Sequence, residues 1–214
     1  MRNKIIFLGL LLVVIIIAYV SLQTENSTKE SIKEVPVNYF AALAQYRSQK
    51  DSFLRKDKQS PIYEEDRLNF KGLRYFEPDT TFIVKARISK FETSLGIPIS
   101  MTHGKPEFYK PYGNALFELK GQEYKLMLFR SEADTQLFVA FKDLTSNKES
   151  YGGGRYIEIP IKNIKDNTLV IDFNYAFNPF CNYNPTFSCP IPPPENNLDI
   201  AILAGEKLFS YLGN

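Results

Sequence analysis

An aspartate and an arginine twelve positions apart are the residues of this chain best placed to do chemistry. Asp143 ends an alternating apolar face made by Leu137, Val139 and Phe141, and Arg155 begins another, continued by Ile157, Ile159 and Ile161. If the two stretches pair as a hairpin around residues 144–154, both charges fall on the core side at the same end. A core-facing charge is expensive unless it is paired. The expectation is therefore a carboxylate–guanidinium pair at the mouth of a β-framework. It would serve either as a structural ion pair or as an anchor for a ligand. The loop between them carries Tyr151, Gly152, Gly153 and Gly154 directly before Arg155. Its bared backbone N–H groups read either as an anion nest or as a flexible turn. Neither a P-loop nor a dinucleotide fingerprint follows, and no cofactor is predicted.

A second group of polar residues lies further on. In Thr168–Phe177 one parity is wholly apolar, while the other carries Val170, Asp172, Asn174 and Ala176. Asp172 and Asn174 thus face either water or a second, covered surface. Amides suit neutral polar ligands and do not titrate, so this face points to binding more than to acid–base work. Cys181 and Cys189 would close a nine-residue loop if bonded, worth about 2.6 kcal/mol by chain entropy; buried free thiols are the alternative. With His103 the only histidine, neither a zinc site nor a Ser–His–Asp triad is predicted, and no metal site is expected. Paired carboxylates drawn from Asp143, Asp172, Glu195 and Glu206 keep glycosidase-type chemistry open as a minor reading.

These side chains need a scaffold. From Leu68 onward the apolar period is two: Phe82, Val84, Ala86 and Ile88 alternate with Ile83, Lys85, Arg87 and Ser89. Ala115–Lys120 and Tyr124–Arg130 flank a glycine turn at Gly121, and Gln136–Asp143, Tyr156–Lys162, Thr168–Phe177 and Leu198–Leu203 follow. That many short strands with turn signals between them predicts a mainly β fold, an antiparallel barrel or sandwich. An N-terminal helix is expected from Asn38 to about Arg55, with Tyr39, Leu43, Tyr46 and Phe53 along one stripe. Residues 178–197 hold six of the thirteen prolines and a single charge, Glu195. They are no central strand; they should pack across the framework as a cover.

The chain has 214 residues, 44% of them hydrophobic and 23% charged, which excludes a disordered or fibrous chain. Residues 37–214 read as one mostly β domain. Residues 23–36 read as a polar tether. Residues 1–22 place Arg2 and Lys4 ahead of sixteen uninterrupted apolar residues, Ile5 to Val20. As a helix that run is about 24 Å long, slightly short of a ~30 Å hydrocarbon core. A transmembrane anchor is expected, with the domain on the extracytoplasmic side, periplasmic in a bacterial cell. Secretion after signal cleavage is the alternative. Arg2 and Lys4 are the only charges before Glu25, so the remainder carries 24 basic and 24 acidic residues. A neutral domain lacks the footprint of a nucleic-acid binder, and no nucleic-acid partner is expected.

Several blocks together resemble a known family. They are Tyr46-Arg47, Lys50-Asp51 and Ser60-Pro61; Gly72-Leu73, Tyr75-Phe76 and Pro78-Asp79; and Phe141, Asp143 and Thr145 with Tyr151 and Gly153-Gly154-Arg155-Tyr156. The most specific is Asp172-Phe173-Asn174 running into Asn178-Pro179, Cys189-Pro190, Pro193-Pro194-Glu195-Asn196 and Ala204-Gly205-Glu206-Lys207. The chain resembles the domain of unknown function family numbered 1684, found in bacteria and archaea, over roughly residues 40–207. The resemblance implies no activity. It does imply that the Gly-Arg loop and the proline-rich segment belong to one surface.

The expected function is binding of a small or polymeric polar ligand by a membrane-tethered domain. Its site would combine Asp143, Tyr151, Gly153, Gly154, Arg155, Asp172 and Asn174. An extracytoplasmic hydrolase or lyase using carboxylates with Arg155 is one alternative. A structural or protein-interaction module without a pocket is the other.

Overall fold

The period-two pattern folds into six antiparallel strands of one sheet. The computed structural model describes residues 37–92, 95–131 and 135–210. The anchor expected over residues 1–22 and the tether over 23–36 lie outside the described residues. Strands β1 (Ile83–Lys90), β2 (Ile97–Ile99), β3 (Glu107–Tyr109), β4 (Pro111–Leu119), β5 (Gln122–Arg130), β6 (Gln136–Phe141), β7 (Arg155–Pro160) and β8 (Thr168–Asp172) follow one another in the chain. In the main sheet the order is β7-β6-β5-β4-β1-β8, every pair antiparallel. The edge strands β7 and β8 also meet each other, so the sheet is a nearly closed barrel. β2 and β3 form a separate two-stranded ribbon, which the sequence pattern does not reveal because three residues are too few to alternate.

The interior is filled by the predicted parity. Val84, Ala86 and Ile88 of β1, Leu126 and Leu128 of β5, Leu137, Val139 and Phe141 near β6, and Ile157 and Ile159 of β7 are all buried in one cluster. Burying side chains of this size contributes about 1.5–3 kcal/mol each. The β4–β5 turn sits one residue earlier than expected. Lys120 (φ 52°) and Gly121 (φ 79°) are both left-handed, the requirement of a two-residue turn matched to strand twist, with glycine bearing the second position.

Helix α1 spans Tyr39–Lys56 and buries Tyr39, Leu43 and Leu54. Asn38 occupies the cap position, yet its side chain makes no capping bond. Leu54 belongs to a small second core with Ile62, Phe70 and Tyr183.

Two expected strands are corrected. Thr168–Phe177 stays extended only to Asp172, because the Asp172 carboxylate accepts the N–H of Asn174 at 2.9 Å and turns Phe173–Tyr175 into a 3-10 helix. Leu198–Leu203 is extended but joins no ladder: the Leu198 N–H goes to the Lys142 carbonyl and the Ile202 N–H to the Asp143 carboxylate at 3.2 Å. The proline-rich segment does pack across the barrel wall. Asn196, fully buried, donates to the carbonyls of Ala140 (2.8 Å) and Met127 (3.0 Å) and accepts the Met127 N–H (2.7 Å).

Candidate functional site

The β6–β7 hairpin brings Asp143 and Arg155 together as their parity requires. Phe141 pairs with Arg155 in the ladder, and Arg155 Nη2 lies 2.8 Å from Asp143 Oδ2 with both side chains buried. The guanidinium is consumed by the fold. Nη1 donates to the carbonyls of Ala204 (2.5 Å) and Glu206 (3.2 Å), and Nη2 to that of Ile202 (2.9 Å). The rings of Phe76 and Phe141 lie 5.6 and 5.4 Å from its carbon. Burial pulls Arg155 below its ordinary value, and Asp143 opposes that shift without cancelling it. The other Asp143 oxygen holds the N–H groups of Thr145 (2.8 Å) and Ile202. The pair thus fastens the C-terminal run to the barrel mouth, and Arg155 is only 1% exposed. Its geometry is that of the structural ion pair.

The glycines allow close approach. A Cβ on Gly154 (φ +93°) would meet Pro192 at 2.6 Å and the Phe141 carbonyl at 2.7 Å, and one on Gly153 would fall 2.2 Å from the Tyr151 ring. The loop is therefore shut by the proline-rich segment and by Tyr151. Asp172 and Asn174 lie apart from Arg155. Asp172 accepts from the Tyr39 hydroxyl at 2.8 Å, and the Asn174 amide pairs with both backbone groups of Asp79 at 2.9 Å. They dock α1 and the strand β1 entrance.

Cys181 and Cys189 are unbonded buried thiols, the second of the two arrangements read from the sequence. The Cys181 N–H donates to Cys189 Sγ at 3.2 Å, and the Tyr151 hydroxyl is 3.6 Å from Cys181 Sγ. His103 is a loop residue whose ring bonds the Pro185 carbonyl at 2.9 Å. Among the described residues, no group of three or more His, Cys, Asp or Glu is placed to hold a metal ion.

Two arrangements were not read from the sequence. Glu206, fully buried, contacts Lys50 Nζ at 2.5 Å and accepts from the Tyr183 hydroxyl (2.5 Å) and the Asn178 N–H (2.9 Å). Sequence offered Glu206 only as a candidate for a carboxylate pair and as part of a family block, because its partners come from α1 and the proline-rich segment. The other is a cleft of about 880 Å³ on the outer face of β6 and β7. Tyr109, Phe138, Tyr156 and Phe177 give it an aromatic floor, with Glu158 and Arg130 also lining it. Phe138 and Tyr156 are 4.8 Å apart edge to face, and Tyr156 donates to the Pro190 carbonyl of the cover at 2.5 Å. The signal available in the sequence was aromatic side chains on the off-core parity of β6 and β7, which marks a second covered face. Arg155 points to the other side of β7 from this cleft.

The comparisons with known proteins agree with this architecture. The chain is similar to an uncharacterized protein of Haloarcula marismortui solved by NMR in solution: 36% identity, 83% of this chain and 97% of that one covered, TM-score 0.64. No curated protein matches. The family model described as Protein of unknown function (DUF1684) matches residues 68–207, and the chain belongs to that family.

Proposed function

We propose that the chain is a ligand-binding domain, held outside the cytoplasm by its N-terminal segment, whose site is the outer cleft of β6 and β7. The observation that carries the reading is the cleft itself, about 880 Å³ with a floor of aromatic faces and charged groups of both signs along it. Pockets of this size with few polar groups among aromatic walls suit a small molecule. The preferred ligand is amphipathic: a ring or chain that lies on Tyr156 and Phe138, with polar groups for Glu158 and Arg130. Catalysis is less well supported. Asp143 and Arg155, the expected acid and cation, are buried against each other and away from the cleft. The membrane attachment rests on the sequence of residues 1–22.

The test is native mass spectrometry of the full chain purified from its own host in mild detergent, beside the variant Ser188→Trp. Ser188 is exposed and lines the cleft, so an indole there fills it without disturbing the core. A retained adduct on the parent chain that the variant lacks is the expected result. An adduct carried equally by both, or by neither, overturns the assignment of the cleft.

A further inference from the structure

Cys181 and Cys189 meet where the proline-rich segment forms one wall of the cleft. The 3-10 turn Phe180–Asn182 presents the Cys181 N–H to Cys189 Sγ at 3.2 Å. Cys189 is held from the far side: its N–H donates to Thr102 Oγ1 at 3.0 Å, and its carbonyl accepts from the Thr102 N–H at 2.8 Å. The Tyr151 hydroxyl stands 3.6 Å from Cys181 Sγ, and only a glycine at position 153 leaves room for that ring.

The two sulfurs are unequal. Hydrogen bonding with Cys189, and after it with Tyr151, lowers Cys181 to about 6 against the opposing effect of burial. Cys189 is pushed up, first because its proton is held on Cys181 and second by burial. A thiolate beside a protonated thiol divides the labour of disulfide exchange: one attacks and the other resolves.

We propose that Cys181 and Cys189 form a reversible dithiol–disulfide couple, with Cys181 attacking, Cys189 resolving, and a small-molecule disulfide as oxidant. The Cys181 thiolate attacks one sulfur of R–S–S–R. That bond breaks, and RS⁻ leaves with its electron pair and takes up the proton Cys181 had released. Cys189 then loses its proton to solvent and attacks Cys181 Sγ. The mixed disulfide breaks, the Cys181–Cys189 bond forms, and a second RS⁻ leaves and is protonated. The protein has lost two electrons and two protons, and two RSH are formed. Oxidation draws the ends of the 181–189 loop together. Phe187 lies on that loop and Phe180 directly precedes it, and the two pack edge to face at 5.5 Å on the cleft wall. The couple does not depend on what the cleft binds.

The test equilibrates the full chain in mixtures of reduced and oxidised dithiothreitol, quenches with iodoacetamide and reads the mass. The two thiols should disappear together in one step and return on reduction without denaturant, while Cys181→Ser and Cys189→Ser show no such step. With limiting iodoacetamide under reducing conditions, label should fall on Cys181 at least tenfold over Cys189. Tyr151→Phe should move the pH midpoint of Cys181 labelling upward. Two thiols that stay alkylatable throughout overturn the proposal. So does a disulfide that is reduced only once the chain unfolds, or label that prefers Cys189.

Discussion

At the scale of single residues, Arg155 has the most to lose. Its buried guanidinium joins Asp143 to the carbonyls of Ile202, Ala204 and Glu206. Arg155→Ala leaves a buried carboxylate and three carbonyls without their donor, a loss of about 3–5 kcal/mol. Urea denaturation followed by circular dichroism should show that loss as a lower midpoint. A midpoint near that of the parent would mean the pair does little for the fold and would reopen its reading as a ligand anchor. The meeting of Asp143 and Arg155 was legible because two strands of period two, read side by side, place both charges on one face. The acceptors from residues 202–206 were not legible. They are backbone carbonyls, some fifty positions from Arg155, and no side chain announces them.

At the scale of elements, the segment from 178 to 206 does the work that a seventh strand of the barrel would do, without a ladder. Its prolines exclude a regular ladder, so side chains supplement the few backbone bonds it makes, such as those joining Lys142 to Asn196 and Leu198. Asn196 is the clearest case: one amide pairs with both groups of Met127 as a neighbouring strand would, and reaches Ala140 as well. Asn196→Ala strips three bonds from buried groups and should cost about 2–4 kcal/mol. Hydrogen exchange at the Met127 amide should accelerate in the variant ahead of exchange at Leu126 and Leu128. Unchanged protection at Met127 would mean the amide clip is not what closes this wall. The proline-rich cover was legible from composition. The alternation of Leu198, Ile200 and Ile202 was read as a strand because extended chain and paired strand share one period. What separates them is the destination of each N–H, and here those go to Lys142 and to the Asp143 carboxylate.

At the scale of the whole molecule, the buried tyrosines set how the protein meets alkali. Tyr46, Tyr75, Tyr156 and Tyr183 are each raised above their ordinary value, chiefly because burial disfavours the phenolate; Glu206 adds to this at Tyr46, Tyr75 and Tyr183. Below pH ~10 both folded and unfolded chains keep these protons, so stability does not respond to them. Above it the unfolded chain releases them while the folded chain does not, and the folded state loses about 1.4 kcal/mol per pH unit for each such tyrosine. Four together remove about 5–6 kcal/mol per unit, a large part of a typical domain's stability of about 5–15 kcal/mol. The barrel should therefore unfold cooperatively one to two units above pH ~10. The buried set should then appear as tyrosinate absorbance in the same step that abolishes the far-ultraviolet dichroism. A phenol count that rises smoothly while the dichroism holds would mean these rings reach solvent from the folded state, and that the covering of the barrel by the proline-rich segment is looser than its hydrogen bonds require.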